Sequence, residues 1–202
     1  MSRKAWAFLK RDLIVATSYQ LNFIITSLNS ILILFLLYFI GKIIDPHYTG
    51  LSRYGADFFS FILVGYGFFQ FFQISQNTFA QSIRYEQVTG CLEAMLGTQT
   101  SPLQCIVFSS LYSIIQGFLQ LCVIFIAGLL FFSFSLSSAN FLSIFIIFSL
   151  STLIFMSFGF ISVAFIVVLK KGDPVSWLIT SLNFILGGAF FPVELLPVWV
   201  RK

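Results

Sequence analysis

The sequence predicts an all-α integral membrane protein, built from an N-terminal interfacial helix and five visible transmembrane helices. Two observations lead to it. Of 202 residues, 58% are hydrophobic and only 9% charged, against about 25% charged in an ordinary soluble domain, and the mean hydropathy is +0.98. The 28 Phe exceed what one soluble core of this length buries, whereas a helix facing lipid needs no polar outer face.

The elements follow in order. Residues 3–20 place Trp6, Leu9, Leu13 and Ala16 on one helical face and Lys4, Arg11 and Ser18 on another, which suits a helix lying in the membrane interface with Trp6 and Arg11 as its anchors. A span needs roughly 20 apolar residues. Runs of that kind lie at about 22–43, 58–81, 103–132 and 140–169, with a shorter one at 175–191. The third and fourth are longer than a span requires and are expected to tilt or to extend past the hydrocarbon.

The basic residues set an orientation. With the N-terminus in the cytoplasm, the inner side holds Arg3, Lys4, Lys10, Arg11, Arg84, Lys170 and Lys171, and the outer side Lys42 and Arg53, joined at the end of the chain by Arg201 and Lys202. The bias favours the N-terminus inside, in a bacterial-type inner membrane or plasma membrane.

Several function classes are disfavoured. The formal charge of +4 sits in small groups beside apolar runs rather than along one face, so no nucleic-acid partner is expected. Cys91, Cys105 and Cys122 show no paired spacing and read as small buried hydrophobes. His47, the only histidine, has no carboxylate cluster near it and reads as a solvated loop residue. No metal spacing and no nucleophile with its base can be assembled, and no G-x-x-x-x-G-K-[ST] phosphate loop is present. No cofactor is expected in this chain. Gln70, Gln73, Gln76 and Asn77, with Gln116 and Gln120 on the next span, can line a polar path or equally bond helix to helix.

The segment between the second and third spans, "EQVTGCLEAMLGTQTSP", is polar. Placing Arg84, Glu86 and Glu93 at membrane depth would cost roughly 8 kcal/mol at about 2.5 to 3 kcal/mol each, so 84–101 lies outside the hydrocarbon. On a continuous helical wheel Glu86, Gly90, Glu93 and Gly97 share one stripe, opposite Val88, Leu92, Met95 and Leu96. Such a surface suits a partner that approaches closely; the plainer alternative is a solvated loop helix in which the glycines separate turns. Ser101 and Pro102 mark the start of the next span.

"IRYEQVTGCLEAMLGTQTSPLQ", residues 83–104, resembles the cytoplasmic loop of type-2 ABC exporter permeases, in which a pattern close to R-x-E-x-x-x-G-T-L-E-x-L-L-x-T-P joins spans two and three. Arg84, Glu86, Gly90, Leu92, Glu93, Leu96 and Thr98 match in register, while Cys91 replaces Thr and "TQTSP" replaces a direct Thr-Pro. "AFIVVLKKGDPVSWL" is similar to the family's inner loop, with its turn at Lys170, Gly172, Asp173 and Pro174. "GGAFFPVELLPVWVRK" is similar to its outer re-entrant segment, over 187–200, through Gly188, Phe191, Pro192, Glu194, Leu196 and Pro197.

The resemblance implies one transmembrane permease domain over 1–202 and a sixth span beyond the last residues here. It implies a separate ATPase subunit carrying Mg-ATP, a second permease copy forming a dimer, and export of an amphipathic, lipid-linked, polysaccharide or drug-like substrate. Arg84, Glu86, Gly90, Leu92, Glu93 and Gly97 would then couple to the ATPase, and the re-entrant segment would close the outer mouth. A secondary transporter or channel without an ATPase is the competing reading.

Overall fold

The computed structural model describes residues 2–18, 20–43, 58–90, 97, 101–132, 140–169, 173–192, 196, 197 and 199. Among these there are six helices: α1 (Ser2–Ser18), α2 (Gln20–Ile43), α3 (Phe58–Val88), α4 (Pro102–Phe132), α5 (Phe141–Leu169) and α6 (Pro174–Leu186). α2 to α5 are each long and apolar enough to cross a membrane, and α6 is a shorter apolar helix. The predicted all-α membrane fold is the observed one.

Local sequence accounts for the helix ends. α4, α5 and α6 begin after Ser101, Asn140 and Asp173, whose side-chain oxygens accept from Gln104 N at 3.4 Å, Ser143 N at 3.2 Å and Ser176 N at 3.0 Å. Each satisfies an amide that the first helical turn leaves unpaired. Pro102 and Pro174 open their helices, where the missing N–H costs nothing.

α3 is the central helix, flanked by α4 and α5. Against α5 it lays Phe71, Phe72 and Phe79 beside Phe148, Phe155 and Phe160, with ring centroids 4.7, 4.8 and 4.4 Å apart. Against α4 and α2, a buried cluster of Leu34, Leu63, Tyr66, Ile124 and Ala127 forms at the end away from α1. Outside these seams the surface stays apolar. On α5, Phe141, Leu142, Phe145, Ile147 and Leu153 are exposed, as lipid permits and water does not.

α6 differs from the expected span at 175–191. Its 13 residues reach about 20 Å at 1.5 Å per residue, short of the ~30 Å hydrocarbon core. The chain leaves the helix at Gly187, whose N–H donates to Asn183 O at 2.8 Å, and turns at Gly188, where φ is 63°. Residues 187–192 then fold back on α3. A Cβ at Gly65 would overlap the Ala189 carbonyl, so only glycine lets the two backbones approach this closely.

Candidate functional site

At one end of the bundle α1 packs across α4, with Phe8 and Phe108 ring centroids 5.9 Å apart. Its half-buried positions are Ala5, Phe8, Leu9, Asp12 and Ala16, while Trp6 and Leu13 are exposed together with Ile14 and Val15. The face expected from Trp6, Leu9, Leu13 and Ala16 is therefore split. Leu9 and Ala16 turn toward the bundle, and Trp6 and Leu13 remain uncovered by the chain. In a membrane protein an apolar side chain can face either protein or lipid, so one wheel stripe does not separate the two.

Arg11 joins this helix to α3. Its Nη1 lies 2.8 Å from Glu86 Oε1 and its Nε 2.8 Å from Asp12 Oδ1, and its guanidinium stands 5.3 Å from the Phe8 ring centroid. The Arg11 side chain is 42% exposed and that of Glu86 only 3%. Partial burial works against the Arg11 charge, but Asp12 and Glu86 outweigh it and its pKa is raised. Arg11 is thus a bridge between helices.

Glu86 lies inside helix α3, which extends seven residues past the expected end of its span at 81, to Val88. The helix then stops. Thr89 N donates to Tyr85 O at 3.0 Å, Gly90 N to Gln87 O at 3.2 Å, and Gly90 takes φ 69° with no described residue within 4 Å of where its Cβ would stand. A left-handed glycine is a common helix stop. The continuous stripe of Glu86, Gly90, Glu93 and Gly97 is therefore corrected: Gly90 ends the helix, so a single wheel does not carry through it. Arg84, Gly90 and Gly97 are exposed, and Glu86 is turned inward. Leu92 and Glu93 lie outside the described residues.

Of the inner-loop residues, Lys170 and Gly172 lie outside the described residues. Asp173 and Pro174 form the start of α6. Two residues on, Ser176 is the meeting point of three helices. Its Oγ lies 2.9 Å from Ser162 Oγ on α5, and its carbonyl accepts from Gln76 Nε2 on α3 at 3.2 Å.

At the other end, Gly188 supplies the turn, Pro192 is buried, Phe191 and Leu196 are half-buried and Pro197 is exposed. Glu194 lies outside the described residues. The aromatic anchor is Phe190, 5.5 Å from Phe69 and 4.9 Å from Phe184 between ring centroids. Gly65 stands about 10 Å along α3 from its start, and non-helical backbone at such depth is tolerated where protein covers it.

Between α2, α3 and α4 lies a cleft of about 450 Å³. Gln73, Asn77 and Gln81 come from α3, Ser113, Gln116 and Gln120 from α4, and Thr26 from α2. The amides divide by role. Gln120 Nε2 donates to Ser30 Oγ at 2.8 Å and its Oε1 accepts from Ser27 Oγ at 3.1 Å, so it ties α4 to α2, as Gln76 ties α3 to α6. Gln73, Asn77, Gln81 and Gln116 make no hydrogen bond to another described residue and face the cleft.

A model of the ABC-2 type transporter family matches residues 3–202. The chain belongs to that family. No curated protein and no solved structure matches it.

This ABC-2 type transporter chain is thus a multi-pass membrane permease of an ABC transporter, not itself catalytic. The structure also brings forward residues that sequence reasoning passed over: Arg11 as partner of Glu86, Phe190 as anchor, Ser162 and Ser176 as a tie, and Gln81 and Ser113 in the cleft. For the cleft a signal existed, since Gln73, Asn77 and Gln81 repeat every four residues, as one helix face does. Asp173-Pro174 with Ser176 was legible as a helix start. No local signal links Arg11 to Glu86, which lie far apart in the chain.

Proposed function

We propose that this permease works with a separate ATPase subunit and a second permease copy as an ATP-driven exporter. It would carry an amphipathic, lipid-linked, polysaccharide or drug-like molecule out of the cytoplasm, with its N-terminus and the segment after α3 on the cytoplasmic side. The observation that supports this reading best is the Arg11–Glu86 bridge. It makes α1 and the projecting end of α3 one mechanical unit, so that a push by an ATPase on the segment beginning at Arg84 is passed to α1, and through Phe8 and Phe108 to α4. Packed elements of this kind shift between discrete arrangements rather than bending continuously.

In this reading Glu86 is a positioning residue. Arg84, Gly90 and Gly97 offer exposed surface, Leu92 and Glu93 are the further residues of the coupling segment named from the sequence, and the Mg-ATP belongs to the partner. Residues 187–200 close the outer mouth. Co-purification with the ATPase and measurement of its turnover test the proposal: Glu93→Ala should reduce both transport and ATPase stimulation while the permease still inserts. Normal coupling in that variant removes Glu93 from the contact, and absence of any ATPase partner overturns the exporter reading.

A further inference from the structure

The cleft between α2, α3 and α4 carries an inference that rests on the exporter reading and goes further. α2 meets α3 through Leu34, Leu63 and Tyr66 and through the Tyr38–Phe59 ring pair, all toward the end away from α1. Toward α1, Gln73, Asn77 and Gln81 on α3 and Gln116 on α4 face a space of about 450 Å³. Along α3, Gln81 and Gln73 lie roughly 7 and 20 Å from Glu86 at 1.5 Å per residue, between the interface level of α1 and the bilayer interior.

Polar groups at that depth are stable only when hydrogen-bonded. Gln120 and Gln76 find protein partners, and the four others find none among the described residues. The cavity lies within the ~300–1,000 Å³ range of small-molecule sites.

The lining selects the ligand. Among the described residues it contains no ionisable side chain, so a charged group entering it would lose hydration without gaining a counter-charge. Each amide offers two donors and one acceptor oxygen. A hydroxyl both donates and accepts and so matches it. A sulfate or carboxylate only accepts, and a quaternary ammonium does neither. Around Thr26, the α2 residues Ile24, Ile25 and Leu28 are exposed and apolar, a surface against which an alkyl tail can lie.

We propose that this cleft binds the neutral, hydroxyl-bearing headgroup of an amphipathic substrate. Binding uses hydrogen bonds from Gln73, Asn77, Gln81 and Gln116, with the tail leaving along α2. Gln120 holds the wall of the site by fixing α4 to α2.

The test uses the full chain in phosphatidylcholine nanodiscs, with Cys91, Cys105 and Cys122 replaced by Ala and Ser113→Cys introduced as a reporter. The rate of its labelling by N-ethylmaleimide is followed with octyl glucoside, octyl sulfate or octyltrimethylammonium added below solubilising concentration. The glucoside should slow labelling at least fivefold and the charged amphiphiles less than twofold. Gln73→Leu with Gln116→Leu should abolish the protection while the thiol still labels.

Equal protection by all three amphiphiles, protection by none, or a reporter that never labels overturns the proposal. So does oxidative coupling of the Ser113→Cys thiols of two copies, which would place a second chain over the cleft. No ATPase is present in this measurement, so failure of the exporter reading is seen separately, as lost coupling with glucoside protection intact.

Discussion

Glu86, buried near the end of α3, is held by Arg11 of α1 at 2.8 Å. A carboxylate placed by its sequence context on a partner-facing surface is turned into the protein, and its counter-charge comes from α1. The asymmetry in exposure, 42% for Arg11 and 3% for Glu86, makes the two ends of the bridge unequal. Removing Arg11 strands a buried charge; removing the Glu86 charge leaves a half-exposed cation that water and Asp12 satisfy.

Arg11→Met is therefore expected to destabilise the folded permease by about 2 to 3 kcal/mol, and Glu86→Gln by about 1 kcal/mol, since a neutral amide oxygen still accepts from the guanidinium. Denaturant titration in mixed micelles measures both. Equal losses would mean that Glu86 is not buried as described.

Gly65→Ala should displace residues 187–192, because the new methyl group meets the Ala189 carbonyl. Overpacking of this kind costs about 1 to 3 kcal/mol. Cysteine accessibility at Phe190 should rise, and a substrate gradient should leak outward. An unchanged accessibility would detach the segment from α3.

Gly90→Ala should cost about 1 kcal/mol, through backbone conformation, since φ is 69° and no atom of the described residues lies within 4 Å of the added Cβ. The loss is read as a lower unfolding midpoint. A larger side chain at the same position should cost no more than alanine if the site is open as described.

The cleft amides should separate by substitution. Gln120→Leu removes bonds to Ser27 and Ser30 and should destabilise by about 0.6 to 2 kcal/mol. Gln116→Leu, which removes no hydrogen bond to a described residue, should leave the unfolding midpoint unchanged or slightly raised. The same loss in both would erase the distinction between tie and lining.

Much of the fold was legible because the bilayer imposes it. Four of the five expected spans correspond to long helices, α2 to α5, and the helix starts at Ser101 and Pro102 obey local capping rules. What was not legible depends on tertiary partners. The wheel over 84–101 assumed one helix, whereas Gly90 can equally be helical or left-handed, and only its surroundings choose. Gln76 and Gln120 have the same composition signal as Gln73 and Gln116, and the difference between them lies in Ser176, Ser27 and Ser30 on other helices. α6 looked like a short span because Phe190 and Phe191 are as apolar as any span residue. That they fold back depends on Gly188 and on the space that Gly65 leaves.

The central claim is that the Arg11–Glu86 bridge transmits ATPase motion into the bundle. Charge reversal tests it most directly, by measuring ATP-dependent transport and ATPase stimulation in vesicles for Arg11→Glu, Glu86→Arg and the two combined. Each single reversal should lower coupling at least tenfold, and the combination should restore it to within about threefold of the parent, with expression and insertion equal throughout. A combined variant as poor as the worse single one, or single reversals that couple normally, would contradict the account.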